Sequence, residues 1–375
     1  MATIINEVTR DETIALIGYS GHEVSYLIEG HMGSGKSALL TDLGAMFPEH
    51  QLCYFDCTTK VDQGDLMMPR LTAGDVAEAE NGVMPVRFAI NEEVGLHIDK
   101  PIILMVDEAG KNPSLMPALT RLLHERKVGN YSLPEGSIVF LTTNIGGEGL
   151  GDMFDAHQCN RITTLRMKKP SMEQWSEHAV QKGFHPSVIA FVQEFPQVFD
   201  SYEEHENPNN NPYIFHPGDA ARHRFVTGRS LEKTSNIMHG YDRAEGRIGH
   251  TALRAAIAGT LGDRAALDMM AFVSLADSLP KFKEILAEPD TAKVPDNITA
   301  VCMTVYNAIG RVEREQVTAW MTYLDRLPRE AQKMFVNNIL NDKVTPEHKQ
   351  AGYFTNKKFR TWIDANRHIL AADKK

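Results

Sequence analysis

Cysteine is scarce in this chain: four residues in 375, at positions 53, 57, 159 and 302. They form no Cys-x-x-Cys pair, and Cys53 and Cys57 have no histidine at motif distance, so neither a zinc centre nor a disulfide framework organises the fold. Long apolar runs are lacking as well. The longest, such as Ile102 to Val106, are strand-length and fall far short of the ~20 residues that span a bilayer, so no membrane partner is expected. A basic excess is also missing, because 49 acidic side chains against 39 basic ones give a formal charge of −10. That balance offers no bulk attraction to phosphate backbones or anionic lipid, although a local basic patch stays open. No internal repeat or low-complexity tract occurs. Glu7, Asp11 and Glu12 lie where a secretory signal would need basic and then apolar residues, so a cytoplasmic protein is expected. The fifteen histidines are scattered, and none is assigned a catalytic role.

What is present fits a soluble globular protein: 42% hydrophobic and 23% charged residues, with length for two to three domains at roughly 150 residues each. An apolar segment from Val24 to Glu29 meets a glycine-rich stretch, Gly30 to Ser37. The helical pattern of Leu39, Leu40, Leu43, Met46 and Phe47 follows. Further strands are predicted over Gln51–Cys57, Pro101–Asp107, Ser137–Thr143 and Arg161–Met167. The last but one precedes a cluster of Gly146, Gly147, Gly149 and Gly151. Continuous apolar strands separated by helices imply a parallel sheet covered on both faces, here a five-stranded α/β core over 1–170. Beyond Pro170 the pattern is helical, with helices expected over 171–182, 186–195, 230–241, 251–261 and 264–278, and Ser171 as an N-cap. Residues 203–212, rich in Asn and Pro, read as an exposed connector or insertion. More amphipathic helices follow Leu279, with Val317, Trp320, Met321 and Leu324 at helical spacing.

Gly30-His-Met-Gly-Ser-Gly-Lys-Ser37 satisfies the phosphate-binding pattern G-x-x-x-x-G-K-[ST] at every required position, between a predicted strand and a predicted helix. Glycines let consecutive backbone N–H groups converge on phosphates, Lys36 brings a cation to the β and γ oxygens, and Ser37 offers a hydroxyl to Mg²⁺. Gly30, Gly33, Ser34, Gly35, Lys36, Ser37 and Ala38 are therefore the expected nucleotide contacts. Asp107 and Glu108, at the end of the most apolar strand, complete the chemistry. Asp107 would hold Mg²⁺ through water, and Glu108 can reach an attacking water as general base. No Asn-Lys-x-Asp base-reading motif follows, which argues against a GTPase, and the adjacent glutamate favours hydrolysis over transfer to a small molecule. Asn144 ends the fourth strand. In the strand order of additional-strand P-loop ATPases it stands beside Asp107, where it would orient water and touch the γ-phosphate.

With these residues in place, the chain resembles the AAA+ ATPases, and within them the MoxR group that includes the CbbQ and NorQ type proteins. The similar segments are the phosphate loop, Ile103–Ala109, Leu119–Arg126 with a predicted hairpin over 127–136, Phe140–Asn144 and Asn160–Arg161. Together they cover about 24–170, and a weaker similarity runs through Thr227–Leu231 to about 275. The resemblance implies ATP and Mg²⁺ as cofactors and a helical lid over 171–278, and it ends there; the helical spacing alone makes 279–375 a helical C-terminal extension, with no role assigned to it. It also implies that Arg161 acts as an arginine finger toward the neighbouring protomer's γ-phosphate, with Arg166 as the alternative. Arg229 would be the lid arginine that senses the γ-phosphate, ahead of Leu231, Thr234, Ser235 and Met238 on one helical face. Here Thr-Gly-Arg stands where a Ser-Pro-Arg type start is more typical. An insertion between Asp62 and Ile98, carrying Asp65–Arg70 and Met84–Phe88, would either meet a partner or pack as an ordinary hairpin.

The leading expectation is thus a homo-hexameric Mg²⁺-dependent ATPase that remodels a protein partner, one with a von Willebrand factor A domain being the class the resemblance implies. A DNA-directed motor or loader is the second reading, with Arg222, Arg224, Arg229 and Lys233 as its local patch. An ATP-gated assembly scaffold is the third.

Overall fold

The computed structural model describes residues 7–71, 86–145, 160–276, 279–309 and 311–371. Its most apolar stretch shows why the sequence lacks polar alternation there. Along Ile102–Asp107, Ile103 and Met105 pack with Ile17, Leu39 and Leu43, whereas Leu104 and Val106 pack on the other face with Leu115, Leu119 and Leu122. Each side chain alternates into a core, so all of Ile102–Val106 are 0% exposed. Burial of this kind stabilises by ~1.5–3 kcal/mol per large side chain.

The chain divides into two units, Met1–Lys169 and Pro170–Lys375. Strands of the first unit are β1 (Glu7–Val8), β2 (Tyr26–Gly30), β3 (Gln51–Asp56), β4 (Met67–Arg70), β5 (Arg87–Ile90), β6 (Ile102–Asp107), β7 (Lys127–Val128), β8 (Tyr131–Ser132), β9 (Ile138–Asn144) and β10 (Thr163–Met167). Six of them form a parallel sheet in the order β1-β10-β2-β9-β6-β3. The expected sheet of five therefore gains a sixth strand. Edge strand β1 pairs Glu7 with Arg166 and Val8 with Met167, and two residues are too few to show a periodicity. Setting β1 aside, β2 lies between β9 and β10 and β6 lies between β9 and β3, which is the additional-strand P-loop arrangement.

Helices α1 (Arg10–Ser20) and α2 (Leu39–Met46) cover one face of this sheet and α3 (Met116–Glu125) the other. Thr9 starts α1 with a reciprocal cap, Thr9 N–H donating to Glu12 Oε2 at 2.7 Å and Glu12 N–H to Thr9 Oγ1 at 3.3 Å. The hairpin predicted over 127–136 is the antiparallel pair β7–β8, and β4–β5 is a second one in the region read as an insertion. Met84, Pro85 and the glycines at 146, 147, 149 and 151 lie outside the described residues.

The second unit is helical: α4 (Met172–Gln181), α5 (Pro186–Glu194), α6 (Gly228–Arg243), α7 (His250–Leu261), α8 (Asp263–Ala276), α9 (Phe282–Ala287), α10 (Ile298–Ile309), α11 (Val317–Leu324), α12 (Arg329–Leu340), α13 (Glu347–Phe354) and α14 (Lys357–Ala371). Ser171 caps α4 in a box with Gln174. One apolar cluster extends from Trp175 through Leu231 and Met269 to Trp320, Phe335 and Trp362, so residues on both sides of position 278 share a core. His185 is a structural histidine. Its Nδ1 accepts from Ser187 N–H at 3.2 Å, which leaves Nε2 protonated to donate to Asp242 at 3.1 Å. That bond holds the Asp242 carboxyl below the usual range.

Residues 203–212, expected as an exposed connector or insertion, are mostly exposed, and they are in addition tied down at Pro208 and Asn211. Asn211 is 2% exposed, and its Nδ2 donates to the Gln197 carbonyl at 2.7 Å and to Asp200 at 3.1 Å. Arg222 completes the tie, with Nη1 donating to the carbonyls of Asn211 at 2.8 Å and Ile214 at 2.9 Å and Nη2 to that of Pro208 at 3.0 Å. Composition alone missed this because the stabilising groups are backbone carbonyls and a distant guanidinium.

Candidate nucleotide site

The glycine-rich segment leaves β2 at Gly30 and turns through residues with left-handed backbone, Gly33 at φ 72° and Gly35 at φ 92°. Only glycine adopts these angles without a steric penalty, so the two positions set the loop's shape. A 3₁₀ turn over Lys36–Ala38 then leads into α2. Gly30 is also close to its neighbours, since a Cβ there would come 3.1 Å from Ser34 Oγ and 3.3 Å from the Met167 carbonyl. Ser34 Oγ is buried without a hydrogen-bond partner among the described residues. Ser37 is exposed.

Lys36 is 7% exposed, and its ammonium is surrounded by acceptors. Nζ donates to the carbonyls of Gly30 at 2.7 Å and His31 at 2.9 Å and to Asn144 Oδ1 at 2.9 Å. Gly30 and Asn144 are register partners on β2 and β9, which is why residues far apart in sequence meet here. Asn144 turns its other end to Glu108, with Nδ2 donating to Oε1 at 2.8 Å. Glu108 Oε2 is buried without a hydrogen-bond partner among the described residues and lies 3.7 Å from Lys111 Nζ. Lysine, asparagine and glutamate thus form one connected line across the carboxyl ends of β2, β9 and β6, where ligands bind in open parallel sheets.

Glu108 has a left-handed backbone, φ 52° and ψ 40°. A non-glycine residue there costs ~1–3 kcal/mol, and such strain concentrates at functional positions. Its N–H donates to Asp107 Oδ1 at 3.1 Å. The Asp107 carboxylate also accepts from Tyr54 Oη at 2.8 Å on Oδ2 and from Thr142 Oγ1 on Oδ1. Neither Tyr54 nor Thr142 stands out in the sequence. The available signal was the two-residue spacing on β9, which puts Thr142 on the same strand face as Asn144. Cys57 lies near this cluster at 0% exposure, and burial together with the negative charges of Asp56 and Asp107 pushes its thiol up to about 12.

Arg161 lies in the turn ahead of β10 rather than on the strand, is exposed, and forms no ion pair among the described residues. Arg166, the alternative, is engaged within its own unit, with Nε 3.8 Å from Glu7 Oε1. Arg229 is exposed in the first turn of α6, just after the N-cap Thr227. A cation there opposes the helix dipole, so local helix stability does not account for it. The basic patch loses Arg222, whose guanidinium is held by carbonyls, while Arg224 Nε donates to the Gly259 carbonyl at 3.0 Å.

The sequence matches no protein-family model and no curated protein. Among solved structures it is similar to ADP-bound NtrX from Brucella abortus, at TM-score 0.41 and 12% identity over 95% of this chain and 67% of that one. Domain III of the Thermotoga maritima replication initiation protein DnaA gives TM-score 0.37 and 14% identity over 67% and 90% of the two chains. A Thermotoga maritima RuvB mutant gives 0.35 and 12% over 80% and 82%. These superpositions are partial, and it is the strand order and phosphate loop of this chain that define its fold: a parallel P-loop NTPase sheet of the additional-strand order, flanked by helices and followed by a helical region.

Proposed function

We propose that the chain is a Mg²⁺-dependent ATPase that assembles as a ring, a homo-hexamer of MoxR type, and couples hydrolysis to remodelling of a protein partner. The observation carrying this reading is the Lys36–Asn144–Glu108 line, with bonds of 2.9 and 2.8 Å, at the mouth of the phosphate loop. Glu108 would take a proton from water as that water's oxygen forms the bond to the γ-phosphorus and the β–γ bridging bond breaks, releasing ADP and phosphate. Lys36 and the loop N–H groups would hold the phosphates, and Asn144 would orient the water.

The donor set suits a magnesium ion: an acidic Asp107 that keeps acceptor capacity, and the exposed Ser37 hydroxyl. When bound, that ion supplies charge neutralisation on the β and γ oxygens. Arg161, exposed and without an ion-pair partner among the described residues, suits action on a neighbouring protomer, and Arg229 suits the sensing of the γ-phosphate from a lid over 171–278. Residues 279–375 would then extend that lid through the shared core. A partner with a von Willebrand factor A domain follows from the resemblance alone.

Phosphate release by the purified chain tests the reading, read beside light scattering with and without ATP and Mg²⁺. Glu108→Gln is expected to lower turnover by ~10²–10⁴-fold while retaining ATP, which is the range of a lost general base. Arg161→Ala is expected to bind ATP normally and to lose turnover, and mixing it with Lys36→Ala protein is expected to restore part of that turnover at shared interfaces. Wild-type turnover in Glu108→Gln would overturn the assignment.

A further inference from the structure

The Asp107 carboxylate is held by more donors than its place on β6 requires. A carboxylate offers about four acceptor positions. Three are in use: Oδ1 accepts from Thr142 Oγ1 and from Glu108 N–H at 3.1 Å, and Oδ2 accepts from Tyr54 Oη at 2.8 Å. Among the described residues one position is left, on Oδ2. The two hydroxyls come from opposite sides, Thr142 from β9 and Tyr54 from the edge strand β3, so together they fix the carboxylate's rotation about its χ2 bond.

Tyr54 is 44% exposed, so burial does not force its hydroxyl to find a protein partner. Its register partner on β6 is Met105, and the phenol reaches along the strand to the aspartate two residues on. Thr142 is 0% exposed and uses its hydroxyl on the aspartate.

We infer that Tyr54 and Thr142 are positioning residues that hold Asp107 with one acceptor, on Oδ2, left among the described residues for the water through which it would hold the metal of a metal–nucleotide complex. This rests on the ATPase reading for the presence of that metal and adds two residues to its site. Loss of an outer-shell group around a metal site weakens metal affinity by ~10–100-fold, and for Tyr54 and Thr142, one shell beyond Asp107, the lower end is expected.

The test is retention of Mn²⁺ by the full chain with ADP, followed through the electron paramagnetic resonance signal of free Mn²⁺, with no turnover required. Tyr54→Phe and Thr142→Val are each expected to weaken Mn²⁺ retention by about tenfold. Both are expected to bind a fluorescent ADP in excess EDTA as the wild type does, and Thr142→Ser, which keeps the hydroxyl, is expected to restore retention. Tyr54→Phe changes one atom at a half-exposed edge and serves as the variant whose folding is secure. Unchanged Mn²⁺ retention in both variants overturns the inference, and so does an equal loss of ADP binding in EDTA, which would mark a merely structural role. A wild-type chain that retains neither Mn²⁺ nor ADP overturns the ATPase reading and the inference together.

Discussion

Lys36 Nζ donates to Asn144 Oδ1 at 2.9 Å, joining the phosphate loop to the end of β9 through a bond between residues 108 positions apart in sequence. The same asparagine donates to Glu108 at 2.8 Å, so its two ends hold a cation and a carboxylate. Removing it separates the loop lysine from Glu108, the proposed general base. Asn144→Ala is expected to slow ATP hydrolysis by ~10²–10³-fold, the effect of a lost transition-state donor, while ATP affinity moves little. Asn144→Asp is expected to behave differently. Its carboxylate would compete with phosphate for Lys36 and repel Glu108, weakening ATP binding by about tenfold through a lost charge-assisted bond. Titration with a fluorescent ATP analogue separates the two, and equal affinities would contradict the competition.

Arg222 has a structural task. Its guanidinium bonds three carbonyls between Pro208 and Ile214, with Asp219 Oδ2 3.2 Å from Nη2. Arg222→Ala leaves these partly buried carbonyls without donors and is expected to destabilise the chain by about 3 kcal/mol. Arg222→Lys is expected to recover little of that loss, because an ammonium lacks the planar fork. Thermal unfolding followed by circular dichroism provides the check.

Cys57 is expected to resist alkylation in the folded chain. With its thiol pushed up to about 12 by burial and by neighbouring carboxylates, the reactive thiolate is scarce at pH 8, and the residue is 0% exposed. Treatment with iodoacetamide at pH 8, read by mass spectrometry, should leave Cys57 unmodified until denaturant is added. Rapid labelling of the native chain would contradict its burial.

Three buried tyrosines set an alkaline limit on the second unit. Burial pushes the Tyr306 and Tyr323 phenols up to about 12 and raises that of Tyr353. Unfolded tyrosine ionises near pH 10, so the neutral phenol favoured by the fold contributes stability that is complete below pH 10. That contribution falls away as pH rises from about 10 to about 12, and for Tyr306 alone it amounts to ~2–3 kcal/mol. Urea midpoints at pH 9, 10 and 11 should decline across that window, and Tyr306→Phe should flatten the decline. A midpoint independent of pH would contradict the prediction.

Much of the first unit was readable from residues alone. The strand of Ile102–Val106, the phosphate loop and the acids after β6 announce themselves through local pattern, since a buried parallel strand must be apolar on both faces and a phosphate loop needs glycine at fixed offsets. The sixth strand was not readable, because Glu7–Val8 has no pattern and exists through pairing with β10. Arg222 was read as part of a surface patch, and its capture by three carbonyls depends on a loop path that composition does not encode.

The sequence by itself determined which groups of the phosphate-loop pattern this chain carries and in which order they fall along the strands, because those requirements are local: glycines for backbone angles, a lysine for charge, acids at a strand end. Tertiary structure alone decided which groups touch. The register that sets Gly30 beside Asn144 brings Lys36, Asn144 and Glu108 into one line, and the flanking of β6 by β3 and β9 brings Tyr54 and Thr142 to Asp107. Strand order and register are set by how whole strands bury their faces against one another, a property of the assembled sheet that no single segment holds.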